Sequence, residues 1–181
     1  MSSDLHLLPS LNSLDYIAYI DDRGILPQQL SKTIGVYGIF DRDKVLQFVH
    51  YSRDIYLSLK QHLVRQPQHC YWVKAYPIER PNRTQLEEIK EAWIAENGTP
   101  PLGNTEAFAQ WTEPIDAKLS MTKEDKAIYE ASDERGKIKL LKSVARRVEE
   151  DILEKLEPRN VEETIRFNPK FKEKGLLDLK G

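Results

Sequence analysis

Thirteen consecutive residues, 135 to 147, hold six cations and no acid: Arg135, Lys137, Lys139, Lys142, Arg146 and Arg147. A run of this kind is either a solvated helix face or a contact for phosphate or an acidic partner. Glu149 to Glu157 then carries five acids and one Lys. Cations first and acids last oppose the helix macrodipole, so the order does not serve helix stability alone. Two further groups have ligating or redox chemistry. His62, His69 and Cys70 are metal-ligand types close together, but no fourth partner stands at zinc-like spacing. Cys70 is the single cysteine, which excludes an internal disulfide framework and any multi-cysteine zinc site.

These side chains need elements to hold them. Ile34 to Phe40 and Val45 to Tyr51 are apolar and β-prone, and the polar turn Asp41 to Lys44 between them predicts a β-hairpin. The hairpin carries Tyr37 and His50. From Ser52 the pattern changes: Ile55, Leu59 and Leu63 recur at helical spacing until Pro67 stops it. Cys70 to Pro77 reads as a third strand, ended by its proline. Thr84 is a candidate cap for a second helix whose stripe is Leu86, Ile89 and Trp93, closed by Asn97-Gly98. The order β-β-α-β-α predicts an α+β fold, a small three-stranded antiparallel sheet with flanking helices. Leu14 to Ile20 and Leu26-Pro27 are expected to lie against that sheet.

Composition divides the chain near residue 112. Residues 1–112 hold eleven basic and thirteen acidic residues and all three Trp, whereas 113–181 hold sixteen of each and no Trp. We therefore expect one domain at 1–112 and a charged helical extension with a tail at 113–181. In the extension, Ile138, Leu141, Ala145, Val148, Ile152 and Leu156 alternate steps of three and four, an amphipathic helix of about 20 residues. Its apolar stripe must pack on something, and a protein partner is one candidate. Pro158 closes this helix, and Phe167 to Gly181 reads as a tail ordered only by docking.

A hydrophobic fraction of 40% rules out wholesale disorder, and a net charge of −2 offers no strong steering toward a polyanion. The longest apolar runs, such as Tyr16 to Ile20, fall far short of the roughly 20 residues that cross a bilayer. With no basic segment ahead of an apolar stretch at the amino terminus, the expectation is a soluble, cytoplasmic protein without a membrane span.

Gly35-Val36-Tyr37, followed by Phe48-Val49-His50, then Ser52, His62 on the first helix, and Pro101-Leu-Gly-Asn104, form an ordered set that resembles the GIY-YIG nuclease superfamily over about residues 30–105. A closer resemblance, carried by Ile34 to Tyr37, Leu46 to Val49, Ser52 to Ile55, His62-Leu63, Cys70, Trp93-Ile94 and Pro101 to Asn104, is to the amino-terminal domain of the plant chloroplast monothiol glutaredoxins, itself a divergent GIY-YIG domain. The glutaredoxin half has no counterpart in this sequence.

The resemblance implies phosphodiester hydrolysis, which needs a base, a cation on the phosphoryl oxygens and usually a metal. Carried onto this sequence, Tyr37 would accept a proton from water, with His50 as a substitute base or an ordinary strand-end histidine. Phe48 stands where a second tyrosine is expected, His50 where a glycine is, and Ser58 where the helix arginine falls. Arg53, one turn earlier, would replace that arginine, with Lys60 and Arg65 as weaker candidates. Glu91 would hold Mg or Mn, with Glu88 and Glu87 as alternatives. Asn104 would orient the site or end the domain in a turn. Cys70 falls on the cysteine that, in the plant fusion proteins, can pair with the glutaredoxin half, so it is either an inert core thiol or a redox link to a separate glutaredoxin.

Two functions stay open. One is a divalent-metal-dependent DNA endonuclease with a degenerate, weakly active or inactive site. The other is a non-catalytic protein-binding or assembly module that uses the scaffold and the carboxyl-terminal helix.

Overall fold

The computed structural model describes residues 8–180. Its contacts form two compact units, Met1–Thr112 and Glu113–Gly181.

The first unit is built on an antiparallel hairpin. Strand β2 (Gly35–Phe40) pairs with β3 (Leu46–Ser52), setting Tyr37 opposite His50 and Ile39 opposite Phe48. The Asp41 carboxylate closes the turn by accepting from the backbone N–H groups of Asp43 and Val45 at 2.9 and 3.0 Å. Helix α1 (Ile55–Arg65) follows, its first turn capped by Asp54, whose side chain accepts from the Leu57 N–H. Strand β4 (Trp72–Pro77) then returns antiparallel on the other side of β2. The segment expected to lie against the sheet does more than that. Ile17–Ala18 form a two-residue strand, β1, on the free edge of β4, giving the order β1-β4-β2-β3. Buried Tyr19, whose hydroxyl donates to the Leu59 carbonyl, anchors it.

Helix α2 (Arg83–Asn97) is capped by Asn82, not by Thr84: the Asn82 side chain accepts from the Gln85 N–H at 2.8 Å. The helix ends at Gly98 with φ +89°, where a side chain would be strained. A short helix, α3 (Phe108–Thr112), completes the unit.

Strand alternation sorts the core into two layers. Val36, Phe40 and Val49 face α2, where they pack with Leu11, Leu86, Ile89 and Trp93. Tyr37 and Phe48 face the other way, against His62 of α1.

The second unit contains α4 (Lys123–Ala131), opened by a Thr122/Asp125 capping box, and α5 (Glu134–Leu156). The tail is ordered on its own unit. Strand β5 (Ile115–Asp116) pairs with β6 (Leu176–Leu177), α6 (Pro169–Lys172) lies between, and Phe167 bridges to Leu179. Lys172 of α6 bonds Glu149 of α5 at 3.0 Å. This packing covers most of the expected apolar stripe of α5: Leu141, Ala145, Ile152 and Leu156 are buried, with Val144 beside them, and Val148 is half-buried. Of the expected stripe, Ile138 stays 40% exposed, and Leu153 outside it is 43% exposed. No helix among the described residues is long and apolar enough to cross a membrane.

Candidate functional site

Residues 55, 59 and 62 share one face of α1, so the apolar periodicity that buries Ile55 and Leu59 also carries His62 into the core. There His62 lies between two partners. Its Nδ1 is 2.8 Å from the Trp111 carbonyl oxygen, and its Nε2 is 2.8 Å from the Tyr37 hydroxyl. Since a carbonyl only accepts, Nδ1 carries the proton, and Nε2 accepts from the Tyr37 O–H. Burial drives the His62 pKa down from 6.5 to about 3, with the nearby Arg65 charge acting in the same direction. The imidazole is thus neutral. Arg65 donates a second hydrogen bond to the Trp111 carbonyl at 3.2 Å.

Aromatic rings seal this arrangement. Phe48 stacks on Trp111 at 5.1 Å between centroids, 13° from parallel, and meets the His62 ring edge-on at 5.0 Å. Beyond Phe48, Phe108 stacks on His50 at 6.1 Å. Gly103 passes so close beneath Gln47 that a Cβ there would sit 2.4 Å from its carbonyl oxygen. Only glycine admits that approach. The next residue, Asn104, accepts from the Val49 N–H and donates to the Val49 carbonyl, both at 2.8 Å.

The structure does not bring the expected catalytic set together. Tyr37 is 2% exposed, its hydroxyl is committed to His62, and burial raises its pKa. A base that must take a proton from substrate water needs access and a spare lone pair, and Tyr37 is buried with its O–H already donated. His50 is half-buried; its Nδ1 accepts from the Tyr51 N–H at 2.8 Å, and burial, followed by the Lys90 charge, lowers its pKa. Arg53 is exposed and borders a separate depression with Pro81, Asn82 and Arg83. Ser58, at the expected arginine position, hydrogen-bonds Ser52 at 2.7 Å.

Glu91 stands on α2, the helix that packs on the opposite sheet face from Tyr37. Its carboxylate is 66% exposed and lies 3.8 Å from the Lys90 ammonium. Among the described residues, no three His, Cys, Asp or Glu side chains converge on a point that could hold a metal. A lone exposed carboxylate beside a cation does not fit a resident Mg or Mn ion. Of the alternatives, Glu88 is exposed on the same helix. Glu87 accepts from the Tyr51 hydroxyl at 2.7 Å and pairs with Lys90 at 3.2 Å, and its pKa is held down chiefly by that phenol.

Cys70 is fully buried and its thiol faces the His62 carbonyl at 3.6 Å, the environment of an inert core cysteine. Of the six basic residues on α5, Arg147 pairs with Asp125 at 2.5 Å and Lys142 with Glu173 at 3.6 Å. The Lys137 ammonium lies 5.2 Å over the Tyr129 ring. Arg135, Lys139 and Arg146 stay exposed.

Trp111 and the Tyr51–Glu87–Lys90 group were not foreseen. Trp111 lies on a five-residue helix with no periodicity to mark it. The Tyr51–Glu87 bond joins residues 36 apart and carries no local signal.

No family model matches the chain. Over 74 residues, 39% of its length, it is 38% identical to the bifunctional monothiol glutaredoxin-S16, chloroplastic, of Arabidopsis thaliana. That match spans 25% of the plant protein.

Proposed function

We propose that residues 1–112 are a non-catalytic protein-binding or assembly module on a GIY-YIG-like scaffold, in which the catalytic positions have become core. The observation that carries this reading is the Tyr37–His62–Trp111 chain: the hydroxyl that would touch water is buried and donated to a neutral imidazole. Three further features support it. Phe48 has no hydroxyl and stacks on Trp111, Ser58 is uncharged, and Arg53 is exposed while Tyr37 is buried, with Glu91 on the helix that packs on the opposite sheet face. Loss of one catalytic group typically costs about a thousandfold in rate, so several losses together leave little activity. The partial likeness to a bifunctional glutaredoxin supports a protein as the partner class. A disulfide through Cys70 is not part of this reading, because a buried thiol does not reach a second protein.

The test is plasmid nicking by the full chain with magnesium or manganese, beside Tyr37→Phe and Glu91→Ala. The expected result is no cleavage above that of buffer. Cleavage by the parent that vanishes in both variants would overturn the proposal in favour of a working, rearranged metal-dependent endonuclease.

A further inference from the structure

The charges of α5 are only partly used inside its own unit. Its buried stripe accounts for Leu141, Val144, Ala145, Ile152 and Leu156, and its internal ion pairs account for Lys142, Arg147, Glu149, Asp151 and Lys155. What remains on the exposed side is Arg135, Lys139 and Arg146, then Glu150, Glu154 and Glu157. Among the described residues, none of these six has an ion-pair partner.

At 3.6 residues per turn, Lys139, Lys142, Arg146, Glu150, Glu154 and Glu157 fall within an arc of about 120°, roughly opposite the buried stripe. The stripe is basic in its first half and acidic in its second. Such a stripe is complementary to itself when reversed, because an antiparallel copy lays acids on bases along its whole length. One register satisfies two pairs of unpartnered charges. With the two-fold axis at the level of residue 148, Arg146 faces Glu150 of the second copy and Lys139 faces Glu157, each pair occurring twice, while Lys142 keeps its internal partner Glu173. Leu153, 43% exposed, lies on a flank of this stripe. The contact runs about 27 Å along the axis. The same arrangement sets the two macrodipoles antiparallel, so each helix's unfavourable end charges meet the oppositely charged end of the other.

We propose that the exposed face of α5 is a self-association surface on which two copies of this chain pair antiparallel. Each exposed ion pair contributes little by itself, so the dimer is weak and salt-labile.

Sedimentation of the full chain between about 0.1 M and about 1 M salt tests this, since the screening length falls over that range from about 10 Å to about 3 Å. The expected result is a dimer at low salt whose Kd weakens at least about tenfold at high salt. Two double variants sharpen it: Lys139→Glu with Arg146→Glu, and Glu150→Lys with Glu157→Lys. Both replacements run with the macrodipole rather than against it, so the helix is retained, which circular dichroism checks. Each variant alone should be monomeric, and a one-to-one mixture should form heterodimers. A monomer at every salt concentration would overturn the proposal, as would a dimer indifferent to both double variants. So would a monomer that shifts duplex DNA at low salt and loses the shift in the Lys139→Glu, Arg146→Glu variant, which would assign the basic half to phosphate.

Discussion

The two faces of the four-stranded sheet are packed by opposite means. Toward α2 the core is apolar, with Val36, Val49, Leu86, Ile89 and Trp93 all buried. Buried Lys74 on this face reaches the Leu11 carbonyl at 3.0 Å and lies 4.2 Å over the Tyr16 ring. Toward α1 the core holds Tyr37, His62 and Cys70, each hydrogen-bonded to another buried group. An apolar layer needs only volume and shape. A polar layer needs every donor matched and one protonation state, so it responds to changes that leave the other face alone.

Acid should separate the faces most. The unfolded chain binds a proton at His62 near pH 6.5, whereas the folded chain resists until about pH 3. Between those values the unfolded state holds more protons, so stability falls as pH falls, by about 1.4 kcal/mol per unit and up to about 5 kcal/mol over the window. His50, whose pKa burial also lowers, acts in the same direction. Urea unfolding at successive pH values measures the slope, and His62→Gln should flatten it. A parent slope indistinguishable from that variant's would break the comparison.

The apolar face should show a large cost without that slope. Trp93 is fully buried and its indole N–H donates to the Pro9 carbonyl at 2.9 Å. Trp93→Ala should lose about 3–5 kcal/mol. Its increment should be the same above and below pH 6.5, because no neighbouring proton is involved.

The smallest effect is the most diagnostic. Tyr37→Phe keeps the ring and removes only the hydroxyl, leaving His62 Nε2 without its donor. The cost should be about 1–3 kcal/mol in urea unfolding. A neutral or stabilising result would mean that the hydroxyl is not committed to His62, and would reopen a role for it in chemistry.

Much of this was legible in the residues. Apolar β-prone runs marked the hairpin and β4, periodicity marked α1, α2 and α5, and composition marked a change near residue 112, where the contacts also divide. The burial of His62 was not foreseen, although its spacing with Ile55 and Leu59 carries the signal. What stayed hidden depends on long-range register. Tyr37 and Glu91 suit one active site by type and order, yet strand alternation sends Tyr37 to the α1 side while α2 covers the other. Two-residue β1 is too short to show a period, and its place follows from pairing with β4. The tail, too, takes its order from β5, more than fifty residues earlier in the chain.

Strand β3 is the outer member of its sheet, and the amide of Asn104 fills both hydrogen-bonding positions at Val49. An added strand would need those same two groups, and the chain around Gly103 stands in its path. One side chain therefore terminates sheet growth on that side, protecting the module against edge-to-edge aggregation.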